Sequence, residues 1–257
     1  MSWSVETSVA LDAARVAARI LRQSQPELRV RHKGAVDLVT QIDLACERAI
    51  RDFLAVQTPN IPVMGEEGGG AEDAVERWVV DPLDGTTNFV HGFPVYGVSV
   101  ALEIDQTPVV GVIIDPVRNV EYAGATGAGA YANGQRMQVS DCDDIADALI
   151  ATGFPYDRRE RPGFYLGYVR RVLAEARGVR RAGAASIDLA LVASGRLDGF
   201  WEFSLKRWDV AAGIVLASEA GGVVSGINGG ALDLDNPCPL IANPRLHDRL
   251  RRVVNGL

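Results

Sequence analysis

Two aspartates, Asp81 and Asp84, directly follow the apolar residues 78–80 and lie three positions apart. A short, fully apolar run of this kind predicts a buried strand, which would deliver both carboxylates at its end. Thr86 and Thr87 come next and predict the start of a helix, with Asp84 as its N-cap. The free backbone N–H groups at such a start bind anions, and the helix dipole adds to the attraction.

Carboxylates beside an anion site would repel the anion unless cations lie between them. Mg²⁺ suits this role because it takes oxygen ligands, typically one or two carboxylates together with substrate phosphate and water. Two further acids support the interpretation: Glu66 in the glycine-rich loop at 65–70, and Asp209 at the start of a predicted helix. Taken alone, a solvated loop and a simple N-cap would explain these two acids. The occurrence of acidic residues in several such segments favours a metal-dependent phosphate site.

The motifs that contain these acids resemble those of the inositol monophosphatase family, which belongs to the Mg²⁺-dependent, lithium-sensitive phosphatases. The resemblance covers nearly the whole chain in order. Its most specific part is the run WVVDPLDGTTNFVHGFP, from Trp78 to Pro94. The other matching segments are Lys33–Asp43, Gly65–Glu67, Trp208–Gly213 and Glu219–Gly222.

The resemblance implies that two or three Mg²⁺ ions are bound. Their ligands would be Glu66, Asp81, Asp84, Asp209 and the backbone carbonyl of Leu83. Glu66 and Thr86 would orient the attacking water, and Asp43 would support Thr86 from behind. Because metal ions lower the pKa of bound water, no histidine base and no covalent nucleophile is then required.

The same resemblance places groups around the substrate. The phosphate would be held by Gly85, Thr86 and Thr87. The sugar or inositol hydroxyls would face Asp84, Ala185, Glu202 and Asp209. Lys33 would lie on a mobile loop that closes over the site.

The expected activity is the Mg²⁺-dependent hydrolysis of a phosphomonoester of a small polyol, with myo-inositol 1-phosphate as the expected substrate. Fructose 1,6-bisphosphate, 3′-phosphoadenosine 5′-phosphate and histidinol phosphate are alternatives that need the same chemistry. A different kind of alternative is an interaction protein that keeps the fold and regulates a partner. The presence of every expected metal ligand argues against a protein that has lost catalysis.

The elements that must position these residues fall into two groups. Helical periodicity is present at residues 5–23 and in a segment that begins near Thr40. A series of predicted strands follows as far as residue 139. From about residue 145 helices and strands alternate. We therefore expect an α/β (α+β) fold with the layered α-β-α-β-α arrangement of the sugar phosphatases. Its halves would be 1–142 and 143–257, with the site at their junction and a homodimer as the assembly.

Composition limits the partners of the chain. Its 257 residues carry a net charge of −7, which disfavours a nucleic-acid partner. No apolar run approaches the roughly 20 residues of a membrane span. Cys46, Cys142 and Cys238 are few and far apart, as expected of reduced thiols in a cytoplasmic protein.

Several other charged motifs receive an ordinary structural interpretation. The three histidines, His32, His91 and His247, are scattered, which argues against a zinc site. The arginine-rich segments at 158–161 and 180–181 could contact an anionic substrate. Such clusters usually face water, so we expect solvated turns at both places.

Overall fold

The computed structural model describes residues 3–24 and 41–257. Expectations that rest on Lys33 and Thr40 lie outside the described residues. The helices are α1 (Ser4–Ser24), α2 (Gln41–Gln57), α3 (Thr86–Val90), α4 (Pro162–Glu175), α5 (Ala185–Ala193), α6 (Arg207–Glu219) and α7 (His247–Asn255). The strands are β1 (Val63–Gly65), β2 (Glu76–Asp84), β3 (Gly97–Ile104), β4 (Thr107–Asp115), β5 (Val120–Ala125), β6 (Gly129–Ala132), β7 (Gln135–Arg136), β8 (Leu149–Thr152), β9 (Gly178–Arg180), β10 (Gly199–Trp201), β11 (Val223–Gly226) and β12 (Pro239–Ala242).

The first sheet contains strands β1 to β7 in sequence order within the described residues. β1 runs parallel to β2, and every later pair in this sheet is antiparallel, as in a meander. Helices α1 and α2 cover one face. The buried side of α1 is formed by small residues, Ala10, Ala13, Ala14, Ala17 and Ala18. Because these side chains are short, α1 can pack close to α2 and the sheet.

The second sheet has the order β11-β12-β10-β8-β9. Helices α4 and α7 pack against each other; α4 contacts the edge strand β9, and α7 contacts β12. Helices α5 and α6 lie between the two sheets and share one apolar core with both of them. The expected α-β-α-β-α layering is therefore confirmed. The division at residue 142 stays a prediction.

Close contact between α6 and the first sheet requires glycine. A Cβ atom on Gly111 of β4 would lie 2.4 Å from the carbonyl oxygen of Ala212 on α6. A Cβ atom on Gly213 would lie 2.4 Å from Cδ1 of Leu189 on α5. Because a side chain at either position would clash, these two glycines allow α6 to pack closely against β4 and α5.

A buried ion network ties the start of α6 to the first sheet. Glu103 on β3 is fully buried and accepts hydrogen bonds from Arg77 Nε at 3.0 Å and from Arg207 Nη1 at 3.1 Å. Arg77 belongs to β2 and Arg207 is the first residue of α6. The network thus joins neighbouring strands to the helix that carries Asp209.

Two local expectations are wrong. The helix after β2 begins at Thr86 with Gly85 as its N-cap, at φ 90°, so Asp84 does not cap it. Glycine is suited to this left-handed conformation because it has no Cβ atom. The series of strands expected to continue as far as residue 139 ends at Arg136. In the described residues no helix is both long and apolar enough for a membrane span.

Candidate active site

The acids named from the sequence line one cleft at the junction of the two sheets. Glu66 follows β1, Asp81 and Asp84 lie at the end of β2, and Asp209 lies in the first turn of α6. Residues three apart on a regular strand point to opposite faces of a sheet. The β2–β3 register shifts between Asp81 and Asp84. Because this irregularity breaks the alternation, both carboxylates reach the same cleft.

Each of the three aspartates is held by a specific hydrogen bond. Asp81 Oδ1 accepts from the backbone N–H of Leu83 at 3.0 Å. Asp209 Oδ2 accepts from the backbone N–H of Lys206 at 2.7 Å, so Asp209 is the third residue of α6 and not its N-cap. Its side chain therefore satisfies a free donor of the helix start while remaining at the cleft.

Asp84 is held from the other half of the chain. Its Oδ2 atom accepts from the backbone N–H of Ser186 at 2.7 Å and from the Ser186 hydroxyl at 2.5 Å. Ser186 is fully buried in the first turn of α5. One carboxylate oxygen of Asp84 is thus bound to α5. Ser186 is not among the predicted site residues, because nothing in its local sequence indicates a contact with residue 84.

The carboxylates repel one another strongly. Burial raises the pKa of Asp81 well above its usual range, and the charges of Glu66, Asp84 and Asp209 add to the effect. Burial also raises the pKa of Glu66 to about 8, and the charges of Asp209, Glu67, Asp84 and Asp43 add to the rise. Burial, followed by the charge of Asp84, raises the pKa of Asp209 to about 7. Without compensating positive charge, this cluster is costly to ionise.

Thr86 lies beside the cleft with two acceptors behind it. Its Oγ1 atom is 3.0 Å from Oδ1 of Asp43 and 3.1 Å from the carbonyl oxygen of Leu83. Both neighbours accept, so the single hydroxyl hydrogen is directed towards them. Asp43 is buried in the first turn of α2 and does not line the cleft itself.

A buried glutamate shapes the loop that presents Glu66. Glu47 accepts hydrogen bonds from the backbone N–H groups of Glu67 at 2.8 Å and Gly68 at 2.9 Å. Arg51 pairs with Glu47 at 2.7 Å. A Cβ atom on Gly65 would lie 2.5 Å from the Glu47 carboxyl carbon, so glycine is required there. In the sequence, Glu47 has the pattern of an ordinary surface residue of a helix, and nothing there indicates this role.

The opposite wall of the cleft comes from the second half of the chain. Glu202 follows β10 and is largely buried, and Ala185 begins α5. Gly153 lies against Glu202: a Cβ atom there would be only 2.1 Å from the carboxylate oxygens. The absence of a side chain at residue 153 therefore makes room for the Glu202 carboxylate.

Nearly all the site residues named from sequence meet in this one cleft. Its lining includes Glu66, Asp81, Leu83, Asp84, Gly85, Thr86, Thr87, Ala185, Glu202 and Asp209. Asn88, which sequence analysis gave no role, joins the two halves beside it. Its Nδ2 atom lies 2.7 Å from the carbonyl oxygen of Val95 and 2.9 Å from that of Ala182.

Comparisons with known proteins agree with this arrangement. Residues 2–256 match the inositol monophosphatase family. The chain is 42% identical to an inositol-1-monophosphatase of Mesorhizobium japonicum, over 99% of this chain and 97% of that protein. It is 44% identical to the Nus factor SuhB of Pseudomonas aeruginosa, over 86% of this chain and 85% of that protein. The structure of an inositol monophosphatase from Anabaena superposes with a TM-score of 0.91 at 36% identity, covering 100% of this chain and 98% of that one.

Proposed function

Because the chain belongs to the inositol monophosphatase family and is a phosphatase, we propose that it hydrolyses the phosphomonoester of a small polyol, with myo-inositol 1-phosphate as substrate. One observation carries the proposal: four carboxylates from three separate parts of the chain share one cleft with the Gly85–Thr87 turn. The resemblance drawn from the sequence motifs is confirmed by the family match.

The donor set of the cleft fits Mg²⁺, and we propose this ion as the cofactor, with two or three bound. Members of the family are generally metal-dependent. The ligands would be Glu66, Asp81, Asp84, Asp209 and the carbonyl of Leu83, which are oxygen donors of the kind that Mg²⁺ prefers. The raised pKa values support the assignment, because burial and mutual repulsion make these carboxylates costly to ionise until a cation is bound. When bound, Mg²⁺ would stabilise phosphate charge and lower the pKa of a water molecule.

Residues of the Gly85–Thr87 turn would bind the phosphate. The backbone N–H groups of the turn and the Thr87 hydroxyl are the donors available in this part of the cleft. Thr86 would also help to orient the attacking water. Since its own hydrogen points to Asp43 or Leu83, its oxygen can accept a hydrogen bond from the attacking water. Glu66 would orient the same water from the other side.

The polyol would occupy the wall formed by the second half of the chain. Glu202 can accept hydrogen bonds from hydroxyl groups, and Ala185 provides a small surface beside it. Asp84 and Asp209 border the same space. Fructose 1,6-bisphosphate, 3′-phosphoadenosine 5′-phosphate and histidinol phosphate stay as alternatives, because the proposed hydrolysis depends on the phosphate end of the cleft.

Phosphate release from a panel of esters tests the proposal. The panel contains myo-inositol 1-phosphate, the three alternative substrates and glycerol 2-phosphate, each assayed with Mg²⁺ and with EDTA. We expect Mg²⁺-dependent release, fastest from myo-inositol 1-phosphate. Release that persists in EDTA would contradict the metal-dependent reaction, and a faster alternative ester would replace the proposed substrate.

A second candidate role follows from the names of the relatives. At similar identity, some are named inositol-1-monophosphatase and others Nus factor SuhB. A regulatory role through a partner protein would therefore be compatible with the fold. An Asp84→Asn variant separates the two roles, because it should lose turnover. If cells that carry only this variant keep the function lost on deletion, that function does not require catalysis.

A further inference from the structure

Glu103 binds two arginines that lead to different parts of the candidate active site. Its carboxylate lies 2.9 Å from Arg77 and 3.1 Å from Arg207. Glu103 is fully buried, Arg77 is 1% exposed and Arg207 is 8% exposed. Solvent therefore screens these contacts only weakly, and the network holds the segments that it joins in fixed relative positions.

Arg77 connects this network to the loop between β1 and β2. Its Nη1 atom donates hydrogen bonds to the backbone carbonyl oxygens of Ala71 at 3.0 Å and Glu72 at 2.5 Å. Ala71 has a φ of 62°, in the left-handed region that residues other than glycine rarely adopt. Such a conformation persists only where the surrounding structure holds it. The hydrogen bonds from Arg77 thus stabilise the path of this loop.

Glu66 belongs to the same loop. It lies in a turn between Gly65 and Gly69, whose backbones exchange hydrogen bonds of 2.9 and 3.2 Å. Ala71 comes shortly after this turn in the sequence. Because the turn is tied closely to that segment, a shift of the backbone at Ala71 would move the turn that presents Glu66 to the cleft.

Arg207 connects the network to α6. Its Nη1 atom lies 3.2 and 3.1 Å from the two carboxylate oxygens of Glu103, and it is the first residue of the helix. Asp209 lies in the same turn of the helix and lines the cleft. A second contact comes from Ser99 of β3, whose hydroxyl donates to the backbone carbonyl oxygen of Trp208 at 3.2 Å. The start of α6 is thus fixed on β3 directly beside Asp209.

We propose that Glu103 is a positioning residue of the candidate metal site. Through Arg77 and Arg207 it fixes the loop of Glu66 relative to the helix of Asp209, so that cations bind to carboxylates that are already in place. The inference rests on the proposed function, since it takes Glu66 and Asp209 as metal ligands. Glu103 is not one of the residues that line the cleft, and it acts only through the two arginines.

Mg²⁺ binding to EDTA-treated protein tests the proposal. In Glu103→Gln and in Arg207→Gln, we expect the dissociation constant from isothermal titration calorimetry to rise about tenfold, the low end of the effect of residues that orient metal ligands. Arg207→Gln guards against a loss of folding, because Glu103 and Arg77 stay paired in it. The Mg²⁺ concentration for half-maximal phosphate release should rise by the same factor, and kcat at saturating Mg²⁺ should fall by less.

Two control variants separate the effect of position from those of charge and stability. Glu121→Gln makes the same chemical change on the surface, where Glu121 pairs with Arg15 at 2.7 Å. Val172→Ala removes buried apolar atoms from α4, in the core that α4 shares with α7, and lowers stability without touching the network. Both control variants should bind Mg²⁺ with the affinity of the wild type.

The outcomes separate the positioning role from the reaction. A wild-type dissociation constant in either folded network variant overturns the positioning role and leaves the phosphatase proposal intact. An equal rise in Val172→Ala or in Glu121→Gln also overturns it, because lost stability or lost charge would then explain the effect. If the folded wild type binds no Mg²⁺ and releases no phosphate, the proposed function fails and the positioning role fails with it.

Discussion

At the scale of single residues, the candidate site depends on the absence of side chains as well as on charged groups. Gly153 is the clearest case, because the Glu202 carboxylate occupies the space where its Cβ atom would lie. Gly65 stands in the same relation to Glu47. In both places a backbone without a side chain lets a carboxylate reach its position.

A Gly153→Ala substitution should therefore move the Glu202 carboxylate. We expect KM for myo-inositol 1-phosphate to rise about tenfold, which corresponds to about 1.4 kcal/mol of lost substrate binding. The kcat for p-nitrophenyl phosphate, which has no polyol hydroxyls, should stay near the wild-type value. Steady-state kinetics with both substrates measure this difference.

Gly167→Ala is the matched control for this substitution. Gly167 lies within α4, and a Cβ atom there would have nothing within 4 Å. Its kinetics should equal those of the wild type, and its stability should rise by about 0.5–1 kcal/mol, as for alanine in place of glycine in a helix. An unchanged KM in Gly153→Ala would contradict the role of Glu202 in polyol binding.

At the scale of elements, the site is assembled by contacts between the first part of the chain, up to α3 and β3, and the segments around α5 and α6. Ser186 on α5 holds Asp84 of β2, and Asn88 of α3 joins the carbonyls at 182 and 183. The Glu103 network fixes the start of α6 on β3. These contacts bring Asp209 and Asp84 together although they are far apart in the sequence.

A Glu103→Gln substitution tests the buried network. It leaves the buried Arg77 guanidinium without a carboxylate partner, and it leaves Arg207 with only the exposed Asp235. Removal of one partner from a buried ion pair typically costs about 3–5 kcal/mol, and we expect a loss of that size in the free energy of unfolding. Urea denaturation at neutral pH measures the loss.

Glu121→Gln provides the comparison, because it makes the same chemical change on the surface. Glu121 pairs with Arg15 at 2.7 Å, and the Arg15 side chain is 45% exposed. Solvent screens such a pair, so the loss should stay below about 1 kcal/mol. Similar losses in the two variants would show that the Glu103 network contributes no more than a surface pair.

At the scale of the whole molecule, the buried acids couple metal binding to stability. The folded chain holds Glu66, Asp81, Asp84 and Asp209 together, whereas the unfolded chain separates them. Their raised pKa values mean that ionisation of the cluster opposes folding when no cation is bound. Cations that bind only the folded state would reverse this cost.

EDTA-treated protein should therefore gain stability when Mg²⁺ is added. At about 100 times the dissociation constant the expected gain is about 2.7 kcal/mol. For a chain of this size, that gain raises Tm by roughly 5–10 °C. Thermal unfolding with and without Mg²⁺ measures it, and Na⁺ at equal ionic strength provides the control for screening.

The Asp81→Asn variant should be more stable than the wild type without metal and should gain less stability from Mg²⁺. Asparagine can still accept the hydrogen bond from the Leu83 N–H, so the local structure is retained. The EDTA-treated variant should unfold at a higher temperature than EDTA-treated wild type, because one buried charge is gone. Mg²⁺ should then add little. A variant that Mg²⁺ stabilises as much as the wild type would remove Asp81 from the proposed ligands.

Much of this arrangement could be predicted from local sequence. The helix predicted over 5–23 corresponds to α1, and the strand predicted at 78–80 lies within β2, because the apolar patterns of these segments are strong. The predicted ends of helices and strands differ from the observed ones where tertiary contacts determine them. Asp84 was expected to cap a helix locally, but its carboxylate instead binds Ser186, which is 102 positions later in the sequence.

The amino-acid sequence by itself determined the family, the layered fold and the identity of the acidic residues, because these depend on short motifs and hydrophobic periodicity. Only the tertiary structure decided which side chains share a cleft. It separated Arg158 from Arg159 and Arg181 from Arg180, and it brought Ser186 to Asp84. The physical reason is that adjacent residues in a turn have nearly identical local patterns. Their surroundings differ only after the sheets and central helices have packed together.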